Sequence, residues 1–223
     1  ASLQRWQRAF VGVFLQHRQD YGKVRLLLAD EVGVGKTLSL AASALLSVLL
    51  SDGPCLILVP STLTEQWQIE LKDRLGMPTA RWDSLRKCWI DPDGRIIKGQ
   101  GVADVARCPY AIGIVSTGLI VHGMADHGRA KEGTEAECLL SGRYGTVILD
   151  EAHKARGSQP PGASERSPNN LLSFMIRIAE RTQHLLLSTA TPIQTSVDDL
   201  WDLLTILNRG ADFVLGNAYS PWA

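Results

Sequence analysis

Near the start of the chain, apolar residues recur at intervals of three and four: Leu3, Trp6, Phe10, Val13 and Phe14. One buried helical face requires that spacing, so a helix is predicted from about Leu3 to Gln19, with Ser2 placed to cap it and Gly22 to end it. The period then changes. Val24–Ala29 is a short apolar run suited to a buried strand, and Asp30–Thr37 is a glycine-containing loop. Leu38–Leu50 is apolar on most sides, as a buried helix is. Asp52-Gly53-Pro54 makes a turn before a second strand, Cys55–Val59, which Pro60 stops. Leu63–Leu75 follows as an amphipathic helix with Trp67 and Leu71 on one side.

Strand, loop, helix and strand within about 36 residues form a βαβ unit, which predicts a parallel sheet. Three more apolar runs fit: Ala111–Val115, Thr146–Leu149 leading into Asp150-Glu151, and Leu185–Ser188 ending in Thr189-Ala190-Thr191-Pro192. Leu171–Arg181 and Val197–Leu207 read as flanking helices. The expected fold is therefore α/β, a doubly wound parallel sheet with ligands bound beyond the carboxyl ends of its strands. Two stretches break the pattern. The segment 81–109 contains a hairpin, Ile90–Ile97, turning on Pro92-Asp93-Gly94. Ala155–Asn170, rich in Gly, Ser and Pro, reads as a surface loop.

Composition removes several classes of function. The 223 residues are 45% hydrophobic and 21% charged, enough for one large domain or two small ones with a core of their own. Lys plus Arg and Asp plus Glu both number 23, so no global field draws in nucleic acid, although a local patch suffices. The four cysteines stand at no CxxC spacing and Cys55 lies in an apolar run, which argues against a disulfide scaffold and for a reducing compartment. Leu38–Leu50 is too short for a membrane span of about 20 residues. Ala1–Phe10, with two arginines, has no leader pattern. A soluble, intracellular protein without membrane attachment is expected, cytoplasmic in a prokaryote, the favoured source, and nuclear in a eukaryote.

The sharpest chemical signal is Asp30-Glu31-Val32-Gly33-Val34-Gly35-Lys36-Thr37, between a strand and a helix. Gly33 and Gly35 let backbone amides turn inward around phosphate oxygens, which Cβ atoms would obstruct. Lys36 would reach the β/γ-phosphates, the Thr37 hydroxyl would ligate Mg²⁺, and the helix adds its positive end. Asp30 stands where the usual pattern has glycine. About 115 residues later, Asp150-Glu151 ends an apolar strand. Such a pair can hold Mg²⁺ through Asp150 while Glu151 orients and polarises water. Alone it could equally be a solvated strand end; the order of the two motifs favours chemistry.

Gln7, Asp30–Thr37, Leu58-Val59-Pro60, Asp150–His153 and Leu187–Gln194 resemble the motifs of superfamily-two helicases. The form Asp-Glu-x-Gly-x-Gly-Lys-Thr, with Ala190-Thr191-Pro192-Ile193-Gln194 before Asp199-Leu200-Trp201-Asp202-Leu203-Leu204, is similar to the Swi/Snf-type ATPases. Asn169-Asn170-Leu171-Leu172 leans toward the bacterial RapA-like and phage-defence members. The resemblance implies a RecA-like (P-loop NTPase) lobe over 1–223, with the second lobe and its arginine finger missing. It implies ATP and Mg²⁺ as cofactors, bound by Gln7, Asp30, Gly33, Val34, Gly35, Lys36, Thr37 and Leu38, with Thr37 and Asp150 on the metal. Gln7 would read the adenine edge; an exposed helix glutamine is the plainer reading.

Lys36, Asp150 and Glu151 would carry the chemistry, and His153, Thr189 and Thr191 would couple the γ-phosphate state to the nucleic-acid groove. Pro60, Ser61, Thr62, Ser116 and Thr117 would touch the backbone of a tracked DNA strand, fixing position without reading sequence. For Ser116-Thr117 a helix N-cap is the plainer alternative. The implied activity is ATP-driven translocation on double-stranded DNA. A strand-separating helicase, a restriction-system motor and a nucleotide-dependent interaction module with little turnover are the alternatives. Two lesser groups stand apart. Cys88, Cys108, His122, His127 and Cys138, at spacings of 20, 14, 5 and 11, match no common zinc pattern. Arg81, Trp82, Arg86, Lys87 and Trp89 could stack on nucleic acid or pack a hairpin through the tryptophans.

Overall fold

The computed structural model describes residues 3–30, 35–99, 101–125, 128–158, 166–194 and 196–216. Strands β1 (Val24–Ala29), β2 (Cys55–Val59), β3 (Ala80–Asp83), β4 (Cys88–Ile90), β5 (Ile96–Lys98), β6 (Ile112–Ser116), β7 (Thr146–Leu149) and β8 (His184–Thr189) form one sheet. Its order is β1-β8-β7-β2-β6-β3-β4-β5. The first five in that order run parallel, as the apolar runs predict, and β3 joins β6 in parallel through Ala80↔Gly113 and Arg81↔Ile114. β4 and β5 are antiparallel additions.

Helices α1 (Arg5–Tyr21), α2 (Lys36–Leu49), α3 (Thr64–Leu75), α4 (Thr117–Gly123), α5 (Glu135–Ser141), α6 (Asn170–Ala179) and α7 (Val197–Asn208) cover both faces. Alternation along the strands divides the core. Leu56, Leu58, Val147, Leu149, Leu185 and Leu187 share one cluster with Phe174 and Ile178 of α6 and Leu203 and Ile206 of α7. Cys55, Ile57, Val59, Ile148 and Leu186 share the other with Phe14, Leu40, Ala44, Trp67 and Leu71 from α1, α2 and α3. Strands buried on both faces read as continuous apolar runs, which is why the sequence exposed them.

Several boundaries differ from expectation, each for a local reason. The first helix starts at Arg5, not Leu3, because Gln4 is the cap: its N–H goes to Gln7 Oε1 at 2.8 Å. Ser2 lies outside the described residues. Leu63 belongs to a 3₁₀ turn, Ser61–Leu63, that precedes α3. The segment 81–109 holds the expected hairpin, with Gly94 at φ +79, but β3 and β4 also bind it to the main sheet. Trp82 and Trp89 are buried and meet edge-to-face at 5.3 Å, and Trp89 Nε1 donates to the Asp104 carbonyl. The tryptophans therefore pack the hairpin and are not surfaces for stacking bases.

The expected loop Ala155–Asn170 is partly ordered: Gly157–Ser158 pairs with Ser167–Pro168, and Asn169 caps α6 by accepting the Leu172 N–H at 2.8 Å. Among the described residues no group of three His, Cys, Asp or Glu side chains could hold a metal ion. His127 lies outside them. Nor is any described helix long and apolar enough to cross a membrane.

The amino ends of the strands are tied together by buried charge. Arg25 is only 4% exposed and donates to the carbonyls of Val24, Ala179, Thr182, Gln183 and Arg209, closing the carboxyl end of α6. Burial lowers its pKa to about 10, so the charge persists at neutral pH. Arg18 grips Asp52 through Nε (2.8 Å) and Nη2 (2.7 Å). Next to them His184, fully buried, accepts the Val24 N–H on Nδ1 at 3.1 Å, leaving its proton on Nε2, 3.2 Å from Asp52 Oδ2.

Burial pulls the His184 pKa below 6.5, against the attraction of Asp52. Protonation would also destroy the acceptor for Val24. Below pH 6.5 the unfolded chain takes up a proton that the folded chain refuses, so this contribution is complete above about 6.5 and is lost as pH falls toward the folded pKa. Thermal melting between pH 7.5 and 5.5 is expected to show a falling midpoint. His184→Gln should flatten that slope while lowering stability at pH 7.5.

Candidate functional site

Parallel strands leave all their carboxyl ends at one edge, and the sheet order sets which segments are neighbours there. Along it come Asp30 and Gly35–Leu38 after β1, Thr189–Gln194 after β8, Asp150–His153 after β7, Pro60–Thr62 after β2 and Ser116-Thr117 at the end of β6. Paired strands lie about 4.8 Å apart, so this row spans roughly 20 Å. The two segments expected to hold phosphate and metal stand about 10 Å apart, with β8 between them.

At the first station Gly35 has φ +87, a left-handed backbone that glycine adopts without strain. A Cβ there would come within 2.9 Å of Gln7 Nε2, which donates to the Gly35 carbonyl at 3.1 Å. Gln7 is buried, not exposed, with Oε1 holding the Gln4 N–H and Nε2 holding the loop. α2 starts immediately after Gly35, an N-cap residue with no side chain to bond its first turn. Lys36 Nζ donates to the Asp30 carbonyl at 2.6 Å, which places an ammonium between the end of β1 and the start of α2. Thr37 and Leu38 occupy the first turn of α2. Gly33 and Val34 lie outside the described residues.

At the third station the Asp150 N–H continues the ladder to the Leu58 carbonyl at 2.9 Å, fixing the carboxylate beyond β7. Trp67 Nε1 donates to Asp150 Oδ2 at 3.1 Å, and the Glu151 N–H reaches Oδ1 at 3.0 Å. Glu151 takes a left-handed backbone, φ +53 and ψ +45, a conformation that costs a side-chain-bearing residue about 1–2 kcal/mol. His153 Nδ1 lies 3.2 Å from Glu151 Oε2 and 3.1 Å from Thr189 Oγ1. Burial lowers the His153 pKa below the usual imidazole range, opposed by Glu151. A neutral ring with its proton on Nδ1 satisfies that carboxylate. Thr189 Oγ1 also accepts the Thr191 N–H at 3.1 Å, so Glu151, His153, Thr189 and Thr191 form one connected run.

The remaining stations are simpler. Ser61 and Thr62 are exposed on the 3₁₀ turn that Pro60 opens. Ser116 accepts the Gly118 N–H at 3.1 Å and so caps α4, while Thr117 is buried. The N-cap role of Ser116 is thus realised, and it leaves the residue at the same edge as Pro60, through Val59↔Ser116.

Sequence reading missed the supporting residues. Trp67 was placed on the buried side of its helix, but nothing marked its indole as the partner of Asp150. Arg156 Nη1 donates to Gln194 Oε1, and Arg166 joins the Gly157 carbonyl to Asp202. These tie the segment after Asp150 to the segment after Thr189 and to α7. The pattern of charged residues around a Gly/Ser/Pro-rich stretch could have suggested such ties, but not their partners.

Residues 6–212 match the SNF2-related domain. The chain belongs to the SNF2-related family. Relatives include the uncharacterized ATP-dependent helicase YqhH of Bacillus subtilis, 28% identical over 83% of this chain and 26% of that protein. RNA polymerase-associated protein RapA of Klebsiella pneumoniae is 31% identical over 85% of this chain and 17% of that protein. The chain thus spans about a sixth to a quarter of these relatives' length. A Sulfolobus solfataricus SWI2/SNF2 ATPase core in complex with dsDNA shares the fold, with a TM-score of 0.65 and 20% identity, covering 97% of this chain and 37% of that one. The doubly wound sheet is therefore the RecA-like lobe of an SNF2-related, Swi/Snf-type protein.

In this SNF2-related lobe the residues at the edge suit a phosphate anion with Mg²⁺. Gly35 takes the left-handed backbone that starts α2, Lys36 brings positive charge, and Asp150 retains a lone pair on each oxygen, a hard donor of the kind Mg²⁺ takes. Gly35→Ala is expected to lower stability by about 1–2 kcal/mol from backbone strain, with a further loss from the Gln7 contact. Denaturant titration checks this: in a Gln7→Ala background the same substitution should cost less, and equal costs would show that the contact contributes nothing.

Proposed function

We propose that this chain is the nucleotide-binding lobe of an ATP-hydrolysing motor that moves on double-stranded DNA. The observation that carries the proposal is the single row at the sheet edge, where phosphate-loop, connecting, acidic and backbone-contact segments follow one another on adjacent strands. ATP with Mg²⁺ supplies the phosphoanhydride bond whose hydrolysis drives the cycle. Lys36 and the first turn of α2 bind the phosphates, and Thr37 and Asp150 hold the metal, Asp150 directly or through water. Glu151 orients the attacking water and takes up its proton. Gln7 holds the Gly35 carbonyl at the start of α2, and its remaining N–H would be the donor for a contact to the adenine edge.

The Glu151–His153–Thr189–Thr191 run gives the acid a physical link to β8. A change in Glu151's charge or position alters what His153 can donate, and Thr189 senses that through the same ring nitrogen. Ser61, Thr62 and Ser116, with the buried Thr117 behind them, stand two strands from Thr189 or farther, where hydroxyls and amides hold a phosphate backbone without reading bases. The archaeal core that shares this fold is held with double-stranded DNA, which supports duplex as the track. A second RecA-like lobe would supply the arginine finger, worth about 10³–10⁵ in rate.

ATP turnover by the full-length protein, alone and with duplex DNA, single-stranded DNA and RNA, tests the proposal. Stimulation by duplex without strand displacement is expected. Stimulation by single strands alone, or robust unwinding, would replace the translocase with a strand-separating helicase; no stimulation, with ATP still bound, would leave a nucleotide-dependent module. Lys36→Ala should abolish tight ATP binding while leaving the melting temperature unchanged. Glu151→Gln should keep binding and lower turnover by about 10²-fold or more.

A further inference from the structure

Trp67 is a buried polar handle that the scheme above leaves unused. It lies in the first turns of α3, is 2% exposed, and packs among Leu71, Val59 and the rest of the core on that face. A buried indole N–H usually finds an acceptor, although that of Trp82 has none among the described residues. A backbone carbonyl would serve, and Trp89 uses one, at Asp104. Trp67 instead crosses from α3 to the end of β7 and donates to Asp150 Oδ2, 83 residues along the chain. Asp150 Oδ1 is held by a donor from another direction, the Glu151 N–H. Two donors on the two oxygens of one carboxylate fix its rotation about χ2, whereas the backbone donor alone leaves the plane free to swing.

We infer that Trp67 is a positioning residue for Asp150, setting the orientation in which the carboxylate meets Mg²⁺ or a water bound to it. The inference rests on the nucleotide-binding reading above. Outer partners of this kind orient a metal-binding carboxylate without touching the metal, and losing one typically costs 10–100-fold in metal affinity or activity. The donor is neutral and rigid, with two side-chain torsions, so it orients Asp150 without cancelling the charge that attracts a cation. Its place in the fold adds a constraint: α3 follows directly on the Pro60–Leu63 turn, so the element that aims Asp150 is continuous with the segment placed for backbone contact.

Two variants of the full-length protein test this. Trp67→Phe keeps a ring and removes the N–H but leaves a gap in the core. Benzothienylalanine at position 67 keeps the shape and replaces only the N–H, and so separates donation from packing. The measurements are ATP affinity in EDTA and the Mg²⁺ concentration giving half-maximal tightening of ATP binding, with KM and kcat beside them.

Both variants are expected to bind ATP in EDTA as the parent does and to need about 10-fold more Mg²⁺. An unchanged Mg²⁺ requirement in the benzothienylalanine variant overturns the inference. So does an equal loss of ATP affinity with and without Mg²⁺, which would make Trp67 a packing residue. If the parent itself shows no Mg²⁺-dependent ATP binding, the nucleotide-binding reading fails, and the inference with it, whatever the variants do.

Discussion

β8 pairs with β1 through six residues and with β7 through four, and this double pairing decides what the sheet edge can do. Were β1 and β7 neighbours, the segments that follow them would leave the sheet only about 5 Å apart. With β8 between them the gap is near 10 Å, wide enough for a phosphate and a hydrated cation. The inserted strand also brings Thr189 between the segments that follow β1 and β7, within reach of His153. Separation and connection come from the same strand.

The register of β8 is held from the opposite edge. His184, its first residue, accepts the Val24 N–H of β1 and lies against Asp52, which Arg18 brings from α1. Arg25 gathers carbonyls from the end of α6, the approach to β8 and the end of α7. A slip of one residue would reverse every side chain of β8 between the two core layers and strand these buried polar groups without partners. Buried charge is a poor source of stability in general, but it discriminates well between alternative registers.

Much of this architecture was legible because parallel strands buried on both faces cannot hide in a sequence. Cys55–Val59, Thr146–Leu149 and the run through Leu187 stand out as apolar blocks, and glycine, lysine and acid follow them at fixed places. β3 and β4 were not legible: Trp82 alternates with Arg81 and Asp83, a pattern shared by solvated hairpins, and β4 is only three residues long. α4 and α5, at seven residues each, are too short to show a helical period. The supporting contacts were hidden for a different reason. Trp67–Asp150 and Arg166–Asp202 join residues 83 and 36 positions apart, and only the topology says which of many indoles, guanidiniums and carboxylates will meet.

The left-handed backbone at Glu151 sets two selections against each other at one residue. Glycine would relax that conformation and make the fold more stable, and asparagine would suit it better than glutamate does. Neither offers a carboxylate to a water or to His153. A library sorted for thermal resistance would therefore drift toward the smaller residues at 151, and one sorted for turnover would hold glutamate there. The lobe is less stable than its own sequence space allows, and the deficit sits at the residue proposed to orient the water.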